Sequence, residues 1–193
     1  MGYVRSIARE GNMSESIDNP VTSENIRFLK RSADTGGELL AFELTVGPHG
    51  FVAAPHIHGL QEERFLVESG TISFRIGNRE SSAKTGESLV VPPGTPHAWW
   101  NPSDEPVRVL VEFRPALRTE SFFRQFFGLA RDGKVNAKGL PGPLQLAVSA
   151  LEFQPEVRLA RPPLFVQRLL FTPLALLGRL RGHRSHYERY ERS

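Results

Sequence analysis

Between residues 38 and 113 no segment is long enough or apolar enough on one face to form a helix that would interrupt a sheet. Short strand-like runs follow one another instead, at about 25–31, 38–46, 51–54, 64–68, 71–76, 88–91, 97–101 and 107–113. The second of these alternates around Leu40, Phe42 and Leu44, the period of a strand with one buried face. Turn chemistry separates the runs: Gly36-Gly37, Gly47-Pro48, Ser69-Gly70, Gly77-Asn78, Thr85-Gly86 and Pro92-Pro93-Gly94. Strands at close, even intervals with such punctuation predict an antiparallel sandwich or barrel with Greek-key or jelly-roll connections. They disfavour a parallel α/β sheet.

After Pro115 the periodicity changes. Phe122, Phe123, Phe126 and Phe127 recur at helical spacing over 119–130, and Asp132-Gly133 ends that run. Pro143 is placed to start a second helix through Phe153, and Pro162-Pro163 a third to about Leu180, kinked or broken at Pro173. The expected organisation is a flexible arm over 1–21, a β domain over 22–115, a helical extension over 116–182 and a basic tail over 183–193.

A chain of 193 residues with 39% hydrophobic and 23% charged residues is an ordinary globular composition with room for one well-cored domain and an appendage. Its lack of cysteine excludes disulfides, thiolate metal sites and a cysteine nucleophile. The net charge of +3 is modest, and the arginines gathered near the end, Arg161, Arg168, Arg179 and Arg181 among them, belong to no nucleic-acid motif. No partner nucleic acid is therefore expected. The N-terminus lacks the apolar core of a secretory signal, so a cytoplasmic location is expected. The apolar stretch over 164–178 is interrupted by Arg168 and Pro173 and is short for a bilayer span. Its apolar face is expected to pack on the β domain or a twin subunit, giving a homodimer; membrane-surface association is the lesser alternative.

Chemistry concentrates in 50–101. His56 and His58 stand two residues apart, which on a strand puts both imidazoles on one face. The carboxylates Glu62 and Glu63 follow past a bend, and His97 lies on a returning strand. Three neutral imidazoles and a carboxylate suit one divalent first-row metal, whether Fe(II), Mn, Ni, Cu, Co or Zn, and leave two positions of an octahedral ion for substrate or dioxygen. Trp99 falls on the same side as His97; with Phe65, Phe74 and Phe42 it is a candidate for the wall of an apolar substrate pocket, the alternative for each being plain barrel core. His49, His183 and His186 are expected to be exposed. There is no nucleophile elbow, P-loop or dinucleotide fingerprint.

The spacing resembles the two motifs of the cupin superfamily. Gly50, His56, His58, Glu63 and Gly70 fit Gly-x5-His-x-His-x4-Glu-x6-Gly, and Gly86, Pro92, Gly94, His97 and Asn101 fit Gly-x5-Pro-x-Gly-x2-His-x3-Asn. The match is to the compact single-domain microbial type. The resemblance implies a mainly β fold, a double-stranded β-helix (jelly-roll) barrel with a metal in its mouth, here followed by a helical extension. It implies His56, His58, Glu63 and His97 as ligands, with the spacing to Gly70 favouring Glu63 over Glu62. The glycines at 50, 70, 86 and 94 are expected at positive-φ turns. The activity implied is a metal-dependent dioxygenase, or an isomerase or lyase, on a small organic molecule, with Glu63 moving a proton. The alternatives are a non-catalytic metal- or ligand-binding module and a protein acting on partners or membranes through its helical tail.

Overall fold

Alternating inward residues drive the two sheets together. The computed structural model describes residues 15–191. In one sheet β2 (Glu24–Lys30), β3 (Leu40–Val46) and β10 (Val107–Arg114) turn Ile26 and Phe28, Phe42 and Leu44, and Val109, Val111 and Phe113 to the same buried side. β1 (Ser16–Asn19), β5 (Glu62–Ser69) and β8 (Ser88–Val91) complete it in the order β1-β2-β3-β10-β5-β8. The second sheet runs β11-β4-β9-β6-β7, built from β4 (His56–Ile57), β6 (Thr71–Ile76), β7 (Arg79–Lys84), β9 (His97–Trp100) and β11 (Arg158–Leu159). All pairings within them are antiparallel. Phe65 meets Phe74 across the interface between the sheets, ring centroids 5.0 Å apart and edge to face.

The expected closed jelly-roll barrel is not formed. Among the described residues each sheet is open, with free ends at β1 and β8 in one and at β11 and β7 in the other, and no ladder joins the two. Closure needs the edge strands to hydrogen-bond across the seam. Here β8 pairs β5 and β7 pairs β6, and the sheets are held by side-chain packing. With helices filling much of the second half, the architecture is mixed α and β rather than mainly β.

The strands differ from the sequence-based expectations in several places. β1 falls within the predicted arm, whose residues 1–14 lie outside the described residues. β7 is a polar edge strand with only Ala83 buried, so it has no alternation to read, although Gly77-Asn78 forms the two-residue turn that folds it onto β6. The run at 51–54 is no strand beyond a single bridge from Phe51 to Trp100. Gly70 takes a positive φ of 86°, as expected, but Gly50 does not; a Cβ there would sit 2.7 Å from Val46 and 2.8 Å from the Thr22 carbonyl oxygen. Close approach, not a left-handed turn, explains the glycine at 50.

The extension folds back on the sheets. Helix α1 (Thr119–Arg131) lays Phe123 on Phe42 and Phe113 and adds Phe127, packed on Phe123, to the same core. Helix α2 (Pro143–Glu152) begins at its proline, whose missing N–H costs nothing at a helix start. Helix α3 (Leu164–Leu180) packs on α2 through Ala175 against Ala147 and Val148. It runs through Pro173 without a break, because Pro173 and Leu169, whose carbonyl loses its partner, both face solvent. A short α4 (Glu188–Glu191) rests on α1 by Tyr190. No helix among the described residues is long and apolar enough to cross a membrane.

Candidate metal centre

Both sheets contribute to one buried cluster. His56 on β4 lies directly opposite His97 on β9, and His58 follows β4 on the same side as His56. Glu63 comes from β5 of the other sheet, where it faces Phe113 and Val91. The candidate ligand atoms of His56, His58, Glu63 and His97 all lie within 4.8 Å of one another, and all four residues are buried. The cluster therefore sits at the seam between two open sheets. Glu62 points away, half-buried, and its carboxylate meets Arg64 at 3.2 Å.

The hydrogen bonds fix the imidazole tautomers. Nδ1 of His56 lies 3.0 Å from the Ala54 carbonyl oxygen, Nδ1 of His97 3.1 Å from that of Thr95, and Nδ1 of His58 2.6 Å from that of Glu156. A carbonyl oxygen only accepts, so each Nδ1 carries a proton, and each neutral ring presents the Nε2 lone pair to the cluster. The polar atoms there are otherwise orphaned: Nε2 of His58, Nε2 of His97 and Oε2 of Glu63 are buried without a hydrogen-bond partner. His97 Nε2 and Glu63 Oε2 approach to 2.7 Å, and His58 Nε2 and Glu63 Oε2 to 3.5 Å, without hydrogen-bond alignment. Lone pairs converging at such distances call for a cation between them. Three nitrogen donors and one carboxylate, with no thiolate, can coordinate a single divalent transition-metal ion.

Electrostatics agree with that reading. Burial, reinforced by the two neighbouring imidazoles, holds His56 well below the usual histidine range, and burial likewise lowers His58. His97 is pulled down by burial, but the Glu63 carboxylate beside it outweighs this and leaves it above its ordinary value. Two of the three imidazoles are thus kept neutral, the form that binds metal.

The cluster opens on an apolar cavity of about 120 Å³ between the first sheet and the helical extension. Phe42 and Trp99 line it, while Phe65 and Phe74 pack against each other in the core. Phe113 and, from the extension, Phe123, Phe126 and Phe153 supply further wall. His49 pairs with Asp104 at 2.9 Å on the surface, while His183 and His186 meet Gln145 and Glu191 in the tail, none of them near the cluster.

Sequence reasoning missed the contribution of the extension. Glu156, in the loop after α2, supplies the carbonyl that orients His58, and its buried carboxylate accepts from Arg118 Nε at 3.0 Å. Next in the chain, Arg158 and Leu159 form β11 and pair with Ile57 and His56. Gln61 ties the other ligand strand to the same region, donating to the carbonyls of Pro115 and Ala116 and to Thr119 Oγ1. Glu24, also unremarked, lies in the cavity wall. It shares the inward parity of Ile26 and Phe28, which was the available signal.

Fold and site together define a mixed α and β protein of two open sheets and a helical extension, with a buried three-histidine, one-glutamate centre beside an apolar cavity. Residues 42–113 match the sequence model of the family described as "Cupin domain" (Cupin_2), and the chain has a cupin-superfamily fold with a C-terminal helical extension. Among solved structures, it is similar to an RmlC-like cupin from Shewanella frigidimarina, with 19% identity, 58% of this chain and 93% of that one covered, and a TM-score of 0.50. The polyketide cyclase RemF from Streptomyces resistomycificus is similar at 21% identity, with 55% and 78% covered and a TM-score of 0.48. The Schizosaccharomyces pombe Cnp3 cupin domain matches at 15% identity, with 48% of this chain and 65% of that one covered and a TM-score of 0.43, so this chain spans just under two thirds of it. No curated protein matches the sequence.

Proposed function

We propose that the chain is a metal-dependent enzyme acting on a small organic molecule, with non-haem oxygenase chemistry first and isomerase or lyase chemistry as the alternative. The observation that carries this is that His56, His58 and Glu63 of the four-residue cluster line an apolar cavity walled in part by phenylalanines. An ion held there supplies Lewis-acid polarisation and, for a redox-active metal, reaction with dioxygen. The phenylalanine walls exclude water and hold the apolar body of a substrate beside the cluster. The three backbone carbonyls lock the imidazoles in the ligating tautomer. Glu63 is assigned the proton-moving role, its carboxyl being the acidic group among the four ligands.

Oxygen uptake by Fe(II)-loaded protein tests this, against phenolic, diketone and amino-acid-derived compounds. Turnover that disappears in Glu63→Gln supports the oxygenase. A second reading, a non-catalytic binding module, is favoured by the scarcity of proton-transfer groups: apart from the ligands, Glu24 and Arg158 are the ionisable side chains of the cavity wall. Silence with every metal and compound, alongside saturable ligand binding, selects that reading.

For the rest of the chain we propose a cytoplasmic homodimer that uses no nucleic acid. Phe165, Leu169, Leu176 and Leu180 form an exposed stripe along α3, which a twin subunit would cover. Residues 22–115 carry the ligands, and 116–182 act as their cover rather than as a separate unit.

A further inference from the structure

We propose that α2 and α3 form a lid that swings as one body over the cavity, latched by Arg118, and that its opening releases His58 from the orientation metal binding needs.

The helix pair has a core of its own. Ala147, Val148 and Ala175 are buried between the two helices, with Leu151, Phe171 and Leu174 around them, and none of these belongs to the core that joins the sheets to α1. Gly178 lets the helices touch: a Cβ there would sit 3.0 Å from the Leu144 carbonyl oxygen and from Val148 Cγ2. The connecting loop travels with α3, because the buried Gln167 donates to the carbonyls of Leu159 and Pro162, and Arg168 donates to Gln154 Oε1. Between this pair and the sheets lies the cavity, along which α2 sets Leu146, Ser149 and Ala150. A body that packs internally and meets the rest across a void opens at lower cost than one keyed into the main core.

Both ends of the pair leave it at one place. Helix α2 begins just after Gly142 and α3 ends two residues before Gly182, and the contact of Gly178 with Leu144 puts those ends side by side. A Cβ on Gly142 or Gly182 would meet nothing within 4 Å, so the linkers themselves are open. Beyond them the chain is anchored: a Cβ on Gly139 would come within 2.8 Å of Thr22 Cγ2, and Tyr190 is buried on Gly128 of α1. Short open linkers between a rigid body and fixed chain are where a hinge absorbs rotation.

At the far end, the tip between the helices meets the metal centre. Strand β11 pairs with β4, and the Ala160 N–H donates to the Pro55 carbonyl at 3.0 Å. The Glu156 carbonyl accepts from His58 Nδ1. Arg118, at the start of α1, is the latch: its Nε donates to Glu156 Oε1 at 3.0 Å, and its two other nitrogens to the carboxylate and carbonyl oxygens of Glu152 at 2.8 and 2.7 Å. It also lies over the ring of Phe153, which meets Phe122 edge to face. Rotation about the hinge breaks these ties together, so His58 loses its partner as the cavity opens. Closing the lid completes the ligand set, and by reciprocity an ion bound through His58 holds the lid shut.

Hydrogen exchange of the full chain, read peptide by peptide by mass spectrometry, tests this. In metal-free wild type, residues 56–58 and 154–160 are expected to exchange together, faster than the helical amides of α2 and α3 and the strands β3 and β10. Arg118→Met speeds the tip and β4 about tenfold and leaves those helices and strands unchanged. Bound zinc, verified by elemental analysis, slows the same peptides in wild type. Should Arg118→Met not fold, the absence of native cysteine allows an unambiguous lock, Ile57→Cys with Arg158→Cys, at positions directly opposite in the β4–β11 ladder. Oxidation of that pair is expected to slow both segments about tenfold, and reduction to restore them. The motion is read without metal, so it stands or falls apart from the ligand assignment. Helices that lose protection along with the tip show melting rather than a swing and overturn the proposal, as does exchange at the tip and β4 that neither the latch variant nor the lock alters. Exchange that is the same with and without bound zinc overturns the link to His58.

Discussion

The Nδ1–H of His58 donates to the backbone carbonyl of Glu156 at 2.6 Å, joining two residues 98 positions apart in the chain. The first half of the protein carries the ligands, and the second half holds one of them in the tautomer and orientation that ligation needs. Helical extension and metal centre are thus one device. Losing a partner that orients a metal-bound histidine lowers affinity by roughly 10–100-fold. Glu156→Ala frees the loop from Arg118 and lets the carbonyl drift, so metal affinity is expected to fall by about tenfold, read by competition with a chromogenic chelator. An affinity unchanged from wild type would show that the loop stands without this anchor.

The ligand set makes a sharp contrast between neighbours. Glu63→Gln should abolish most metal binding, whereas Glu62→Gln, which disturbs only the exposed contact with Arg64, should leave it intact. Metal content by elemental analysis decides. Equal loss in both variants contradicts the register of β5.

Much of this was legible in the sequence. Strand periodicity placed His56 and His58 on one face, and the resemblance to the two cupin motifs joined Glu63 and His97 to them. What periodicity cannot show is how strands are grouped. Whether β8 and β7 meet to close a barrel depends on pairing between distant segments, and they do not meet. A two-residue strand such as Arg158–Leu159 has no pattern of its own and exists because β4 has a free edge beside it. Phe65 and Phe74 were candidates for either the pocket wall or the core. Parity gives the face but not the depth, and they lie in the core.

That difference in depth can be measured. Phe74→Ala leaves a void against Phe65 and should cost about 3–5 kcal/mol of stability while metal affinity stays unchanged. Phe42→Ala, at the cavity wall, should destabilise and also weaken ligand binding. Urea unfolding paired with calorimetry reads both quantities. Ligand affinity that falls as far in Phe74→Ala as in Phe42→Ala contradicts the placement.

Glu24 should give stability an unusual dependence on pH. Its folded pKa of about 8 lies above the ordinary value of 4.5, so between these limits the folded state holds a proton that the unfolded chain has released. The contribution of Glu24 is therefore full below about pH 4.5 and declines as pH rises towards 8, by up to about 1.4 kcal/mol per pH unit. Glu24→Gln removes this term. The stability difference between wild type and Glu24→Gln should shift against wild type with rising pH across that window, and a difference independent of pH rules out a buried, protonated Glu24.

The exposed stripe on α3 predicts self-association. Leu169→Glu combined with Leu176→Glu should shift a dimer to monomer in sedimentation velocity without loss of bound metal, since both residues point away from the cavity. A wild-type chain that is monomeric at high micromolar concentration contradicts the dimer, and binding to anionic liposomes through residues 156–193 would then assign the stripe to a membrane surface.

The central claim is that four side chains from two open sheets hold one metal ion. Anomalous diffraction from crystals of the purified full chain, collected on either side of the metal absorption edge, tests it most directly. The account predicts a single strong anomalous peak between His56 Nε2, His58 Nε2, His97 Nε2 and the Glu63 carboxylate, absent in His97→Ala. A folded protein that shows no peak there after loading with Fe(II), Mn, Ni, Cu, Co or Zn contradicts it.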